Sequence, residues 1–271
     1  YEHANDFCDV LVVGSGPSGI SAALEAANKN LDVILVEQDH ILGGNLLADL
    51  KYDFEEKKYL LEKAGVKVMT RTTAFGLYDN SVVGMIERVN DHLFMPNNNY
   101  PRQRFWTIRS KHVILGTGSL ERHIAFNNND VPGVMTVNSA RHYLNRYGIL
   151  AGEKITICTN NDSVFETSIL LSNAGAKVKI FDIRDKIDEG IIEKLNKQNI
   201  EIELNKAPIN IQGKRKVEGI DLGVKIGNKY KKTKEEECDL VLLSGGWSPV
   251  IHLLSHRGVK PKWNNENQCF L

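Results

Sequence analysis

The 271-residue sequence has no net charge: 34 Lys plus Arg balance 34 Asp plus Glu. Such a chain has no general electrostatic attraction to nucleic acid or to an anionic membrane surface. It has no apolar run approaching the ~20 residues of a membrane span, and no secretory leader is visible. The four cysteines, Cys8, Cys158, Cys238 and Cys269, are scattered. They form no C-x-x-C and no metal-ligand spacing, so neither a dithiol redox centre nor a metal site is expected. Free, buried thiols in a reducing, cytoplasmic compartment are the reading that remains. P-loop, nucleophile elbow and zinc signatures are absent as well. His112, His123, His142, His252 and His256 are the candidates for acid–base work, but none has a partner motif at useful spacing. No catalytic residue is therefore assigned to this chain. The first residue is Tyr1 rather than Met, which points to a piece of a longer protein.

What is present is a dinucleotide fingerprint. From Asp9 to Gln38 the sequence DVLVVGSGPSGISAALEAANKNLDVILVEQ reads as strand, glycine turn, helix, strand and terminal acid. Leu11 to Val13 is apolar, and Ile20, Ala23, Leu24 and Ala27 recur at helical spacing. Gly14 permits the tight turn, Gly16 lets the backbone approach a pyrophosphate, and Gly19 lets helix and strand pack closely. The helix N-terminus then directs free N–H groups and the positive dipole end at phosphate. Glu37 stands where a carboxylate accepts hydrogen bonds from ribose hydroxyls. An adenine dinucleotide is the expected ligand, and the motif alone does not separate NAD from FAD. Gln38, Asp39 and His40 follow Glu37 with no Arg or Lys to neutralise a 2′-phosphate, which favours NAD over NADP.

Further glycine-marked strand ends partition the chain: Gly43-Gly44, HVILGTGS from His112, and CDLVLLSGGWSP from Cys238. Between the last two lies a second βαβ pattern, Lys154 to Arg184, with Ile191 to Gln198 and Ile200 to Leu204 as a further helix and strand. Its turn reads Thr159-Asn160-Asn161-Asp162-Ser163-Val164, without glycine and with an acid that would repel phosphate. Asn160 to Ser163 are expected to cap the helix instead, so no working NAD(P)H site is expected there. Val66 to Arg109 looks like a small antiparallel excursion, with Asn97-Asn98-Asn99 as an exposed loop. The charged run at Lys229 to Glu237 reads as a solvated turn.

Four segments together resemble the α subunits of heterotetrameric sarcosine oxidases and, more broadly, the large subunits of related amine and proline dehydrogenases. They are PRQRFWTIRSKHVILGTGSLERHIAFNNNDVPGVM from Pro101, SARHYLNRYG from Ser139, ITICTNNDS from Ile155 and LSGGWSPVIHL from Leu243. The resemblance implies an enzyme that oxidises the N–C bond of a small secondary or tertiary amino acid and passes electrons through flavins to oxygen. It implies a tightly bound NAD in this chain, FMN at an interface with another subunit, and the substrate-oxidising FAD in a smaller β subunit. Carried over by position, NAD would meet Gly14, Gly16, Ser18 and Gly19 at the turn. Glu37 and Gln38 would stand at the adenosine ribose, Gly44 and Asn45 at the pyrophosphate, Ala74 at the adenine edge, and Gly245 and Gly246 at the nicotinamide half. Trp247 and Pro249 would shape that pocket. Arg122, Arg141, Arg146 and Tyr147 would receive a flavin phosphate or a subunit, or are surface residues of a plain helix. Family α subunits also carry an amino-terminal extension and a carboxy-terminal domain that binds tetrahydrofolate; no residue here is assigned to folate. The join from Leu46 to Phe54 is short for the family.

The expected fold is α/β: two nested Rossmann-like dinucleotide-binding domains of the two-dinucleotide-binding flavoprotein type. Residues 1–126 with 239–271 form the first domain, and 127–238 the inserted second with its degenerate turn. Three functions stay open: the dinucleotide-binding core of a sarcosine oxidase-type complex, a self-contained FAD-dependent NAD(P)H oxidoreductase, or a non-catalytic nucleotide-binding scaffold.

Overall fold

A computed structural model describes residues 1–49, 52–227 and 229–271. It divides into two compact units, Tyr1–Ser119 with Pro249–Leu271, and Leu120–Ser248. The expected join at Leu46 to Phe54 includes residues 50 and 51, which lie outside the described residues.

The first unit is built from β1 (Glu2–Val13), α1 (Pro17–Asn28), β2 (Val33–Val36), α2 (Phe54–Lys63), β3 (Lys67–Met69), β4 (Thr72–Leu77), β5 (Val82–Arg88) and β6 (Gln103–Leu115). Its six-stranded sheet has the order β3-β2-β1-β6-β5-β4. The first four are parallel, with Val10–Val13 between Val33–Val36 and His112–Leu115. Alternate residues of the central strands feed two cores. Leu11, Val13, Ile34 and Val36 point to one face, where Met85 and Ile108 also lie. Val10, Val12, Val33 and Leu35 point to the other, against Ile20 and Ala23 of α1 and Leu61 of α2. Burial on both faces explains why these strands are continuous apolar runs rather than alternating ones.

The antiparallel excursion is continuous with this sheet. β6 is one 13-residue strand whose first half pairs antiparallel with β5 while the strand also runs parallel to β1 from Arg104 onward. β1 accordingly begins at Glu2 rather than near Leu11, since β6 supplies partners for residues whose own apolar content is low. The loop after β5 is organised by Asn90, whose buried amide donates to the Asn97 carbonyl (2.6 Å) and accepts from the Asn97 N–H (3.1 Å). Asn97 to Asn99 are exposed.

The chain passes through the short β7 (Ser119–Glu121) into the second unit. There it forms β8 (Val134–Thr136), α3 (Val137–Tyr147), β9 (Lys154–Thr159), α4 (Phe165–Asn173), β10 (Lys177–Asp182), α5 (Glu189–Lys197) and β11 (Glu201–Glu203). β12 (Ala207–Gln212), β13 (Gly219–Ile226), β14 (Lys229–Glu237) and β15 (Leu240–Ser244) follow. A five-stranded parallel sheet, β11-β10-β9-β15-β8, carries helices on one face around Ile155, Ile157, Phe165, Leu171 and Leu195. The antiparallel β12-β13-β14 sheet covers the other through Ile211, Ile220 and Leu222 against Cys158, Val241 and Leu243.

Two expectations change. The unit boundaries fall at 119/120 and 248/249, not at 126/127 and 238/239, because Leu240–Ser244 pairs in register with Ile155–Thr159 and so belongs to the second sheet. Lys229–Glu237 is a strand, not a turn. At the edge of its sheet, it carries a run of lysines followed by glutamates that meet partners, Lys232 with Asp221 (2.9 Å) and Glu236 with Lys179 (3.3 Å). Charge on an edge strand also discourages pairing with other chains. No helix among the described residues is long and apolar enough to cross a membrane.

Within the second unit Glu121 is a largely buried carboxylate that accepts from the Asn138 N–H at the start of α3 (2.7 Å). Burial raises its pKa above the ordinary 4.5, against hydrogen bonds from Ser244, Asn138 and Thr136 that lower it. A raised acid pKa contributes stability below the unfolded-state value and loses it as pH rises through the folded one. Glu121→Gln keeps the acceptor without the charge. It is expected to flatten that decline, gaining stability relative to the parent between pH 4 and pH 8 in urea unfolding; parallel curves would show that Glu121 does not titrate across folding.

Candidate dinucleotide-binding site

The glycine turn is held by backbone. Gly14, with φ +97°, donates its N–H to the Val36 carbonyl (2.8 Å), and Gly116 beyond β6 donates to the Val13 carbonyl (2.8 Å). A Cβ on Gly14 would lie 2.3 Å from the Gly116 oxygen, and one on Gly19 would lie 1.9 Å from the Gly14 oxygen. Gly14 and Gly19 thus close the crossing of β1, α1 and β6, and Gly116 is a third member that motif spacing did not reveal. Gly16 differs: nothing lies within 4 Å of the Cβ it would carry. It is the N-cap of α1, no side chain caps that helix, and Pro17 starts it. Exposed Ser18 completes the first turn. Uncapped N–H groups behind an open backbone surface form a cradle for an anion.

Glu37 follows β2 and is 7% exposed. Its Oε2 accepts from the Ser15 N–H (3.0 Å) and the Ser15 hydroxyl (2.5 Å), and its Oε1 accepts from the Asp39 N–H (2.8 Å). Ser15, fully buried, also accepts from the Gly43 N–H (3.1 Å). Gly43 and Gly44 both have positive φ, +132° and +54°, and a Cβ on Gly44 would stand 3.4 Å from the Gly16 Cα. The two glycine turns therefore face one another, with exposed Asn45 following Gly44. Tyr52 lies against Gly43, and its buried hydroxyl has no hydrogen-bond partner among the described residues.

Gln38 is exposed, and its carbonyl accepts from the Arg88 guanidinium at 3.4 Å. The residues that follow Glu37 carry no Arg or Lys of their own, but an arginine fifty positions along the chain arrives at the end of β5. Ala74, in β4, packs its side chain on the core that contains Met85 and Ile108. Its strand is joined to the site by the Thr72 N–H, which donates to the Glu37 carbonyl (2.9 Å). Gly14, Gly16, Ser18, Gly19, Glu37, Gln38, Gly44, Asn45 and Ala74 all fall in the first unit. Gly245 and Gly246 fall in the second, after β15, where a Cβ on Gly246 would meet the Arg122 guanidinium at 2.5 Å.

The corresponding turn of the second unit is closed on itself. Asn161 accepts from the Ser163 N–H (3.1 Å) and hydroxyl (2.6 Å), and its amide donates to the Ser244 carbonyl (3.2 Å). Asp162 pairs with Arg184 (2.7 Å), which also pairs with the buried Asp182 (2.7 Å). The acid that would repel phosphate is thus held by an arginine, and the Ser163 N–H of the turn is held by an asparagine. Three of the thiols are held in the protonated form: burial pushes Cys8 up to about 12, Cys238 up to about 11, and Cys158 upward.

Two Rossmann-like sheets, one with an open glycine cradle and one with a self-capped turn, define a two-dinucleotide-binding α/β protein. The chain belongs to the pyridine nucleotide-disulphide oxidoreductase family, whose profile it matches over residues 8–269. It is 35% identical to the sarcosine oxidase subunit alpha of Rhizobium meliloti (strain 1021), an alignment covering 100% of this chain and 28% of that protein. The chain thus spans less than a third of that relative. Among solved structures, L-proline dehydrogenase from P. horikoshii is similar with a TM-score of 0.63 and 22% identity, over 97% of this chain and 47% of that one. T. acidophilum thioredoxin reductase has a TM-score of 0.70 at 20% identity, over 94% and 82%.

Two glycine substitutions separate folding from binding. Gly16→Ala is expected to leave the melting temperature of nucleotide-free protein unchanged while adding a methyl where the pyrophosphate approaches, lowering dinucleotide affinity at least about tenfold. Gly19→Ala forces a methyl onto a carbonyl and is expected to cost about 3 kcal/mol or more in urea unfolding. Equal melting losses in both would place Gly16 in the packed crossing instead.

Proposed function

We propose that this chain is the NAD-binding core of a sarcosine oxidase-type α subunit. The observation that carries the proposal is the open cradle at Gly16, facing Gly44 and flanked by the buried Glu37 carboxylate. Gly16, Ser18 and Gly19 hold the pyrophosphate through backbone N–H groups and the α1 dipole, in the turn that Gly14 shapes. Glu37 receives the adenosine ribose with Gln38 beside it, Gly44 and Asn45 flank the pyrophosphate, and Ala74 lies toward the adenine edge. Gly245 and Gly246 are proposed for the nicotinamide half. When bound, NAD supplies a hydride-accepting nicotinamide. A free ribose diol suits Glu37, whereas a 2′-phosphate would set anion against anion; NAD is thus the ligand rather than NADP, even with Arg88 near Gln38.

The closed second turn and the four dispersed thiols disfavour a self-contained NAD(P)H-driven disulfide reductase. The proposed complex oxidatively demethylates sarcosine, an N-methyl amino acid, in the cytoplasm and passes electrons through flavins to oxygen. Substrate chemistry belongs mostly to partner subunits, with FAD in a β subunit and FMN at the interface; tetrahydrofolate belongs to a further domain of such α subunits. The 35% identity to a sarcosine oxidase subunit alpha supports this assignment.

Denaturing the purified protein and identifying the released nucleotides tests the reading. NAD at about one per chain is expected, because only one turn is open. FAD as the sole dinucleotide, with NADH oxidation by the lone chain, would overturn it. Glu37→Arg should empty the site, and undiminished NAD in that variant would remove Glu37 from the ribose.

A further inference from the structure

Ser15 is the x of the first G-x-G and is absent from the set that motif reading assigns, yet it makes more polar contacts in the turn than any glycine beside it. Its hydroxyl accepts from the Gly43 N–H (3.1 Å) and donates to Glu37 Oε2 (2.5 Å), while its own N–H donates to the same oxygen (3.0 Å). The direction of this relay is fixed by chemistry. A backbone N–H can only donate and an ionised carboxylate can only accept, so the hydroxyl between them has one available orientation. Hydroxyl and carboxylate are both buried: Ser15 is 0% exposed and Glu37 7%. Water is therefore a poor substitute for either bond, and bonds to a buried charge are the stronger kind.

The relay also decides which face of the carboxylate is open. Oε2 already has two donors, Ser15 N–H and Ser15 hydroxyl, whereas Oε1 has one, the Asp39 N–H. Each carboxylate oxygen accepts about two hydrogen bonds, so the remaining acceptor position is on Oε1. At its other end the relay reaches Gly43, the residue before Gly44, whose Cβ position lies 3.4 Å from the Gly16 Cα. One hydroxyl thus spans the carboxylate meant for a ribose and the turn meant for a pyrophosphate.

We propose that Ser15 is a positioning residue of the dinucleotide site: it holds Glu37 so that Oε1 accepts the adenosine 2′-hydroxyl, and it couples that contact to the Gly43–Gly44 turn. The inference rests on the dinucleotide reading above and deepens it. Removing the hydroxyl leaves Glu37 with two donors instead of three, frees the carboxylate to rotate, and leaves the Gly43 N–H without this acceptor. Recognition of the ribose then becomes less selective as well as weaker.

The test compares NAD with its 2′-deoxyadenosine analogue on nucleotide-free protein by isothermal titration, in the parent, Ser15→Ala and Glu37→Gln. In the parent, loss of the 2′-hydroxyl is expected to weaken binding about tenfold, the scale of one hydrogen bond to a charged group. Ser15→Ala is expected to weaken NAD by a similar factor and to shrink the 2′-deoxy penalty to about twofold or less, approaching Glu37→Gln. A purely structural serine would weaken both ligands equally and keep the penalty, and that result overturns the inference while leaving the dinucleotide reading intact. Ser15→Cys, close in size and a weak donor, reads the same ratio if the alanine variant unfolds, with an intermediate penalty expected and a full penalty again overturning the role. A parent that binds neither ligand overturns the dinucleotide reading itself, and Ser15's role with it.

Discussion

The first unit depends on a crossing so close that no side chain fits inside it. The Gly14 carbonyl occupies the space where a Gly19 Cβ would be, and the Gly116 carbonyl occupies the space where a Gly14 Cβ would be. That approach brings the end of β1, the start of α1 and the end of β6 to one point. It leaves the α1 N-terminus facing open space at Gly16 instead of packed protein. The anion cradle is therefore a consequence of the packing, since the same contacts that lock the turn expose its donors. Glu37 enters from the adjacent strand because Gly14 is hydrogen-bonded to Val36.

The second unit repeats the strand-turn-helix-strand arrangement and resolves the same end-of-helix problem differently. Asn161 accepts the Ser163 N–H within its turn, and the strand-end acid Asp182 is bound to Arg184. Two turns of related topology thus differ, one an uncapped helix start among glycines and one tied by Asn161 and Arg184. The difference lies in side chains that can hydrogen-bond locally against glycines that cannot. It is also why the family assignment does not by itself imply a dithiol reductase: all four cysteines are buried and unpaired with one another.

Much of this was legible in the chain. The spacing of Gly14, Gly16 and Gly19, the apolar run before them and Glu37 after β2 are local signals, and local signals survive in sequence. The glycine-free turn at Thr159 to Val164 was equally readable, although Asp162 alone suggested free negative charge where the structure has an ion pair. The charged run Lys229 to Glu237 read as a turn because its partners, Asp221 and Lys179, lie on other strands. The boundary of the second unit was misplaced for a related reason. Leu240 to Ser244 ends in a glycine pair like the strands of the first sheet, and only its pairing with Ile155–Thr159 assigns it to the second.

The amino-acid sequence by itself pointed to a nucleotide-binding fold, because phosphate approach demands glycine at set intervals and the demand is met within thirty residues. It also showed that the second turn has no glycine. Tertiary structure alone decided which groups surround the site from afar: Gly116 sealing the crossing, Gly43 reaching Ser15, Arg88 arriving beside Gln38. Ser15 occupied a variable position of the motif, and its role became visible only when folding placed a carboxylate and a backbone donor on either side of its hydroxyl. Hydrogen bonds and ion pairs between residues distant along the chain leave no periodicity and no spacing rule, so the partners of a site are set by strand order, which the pattern of local elements constrains but does not specify.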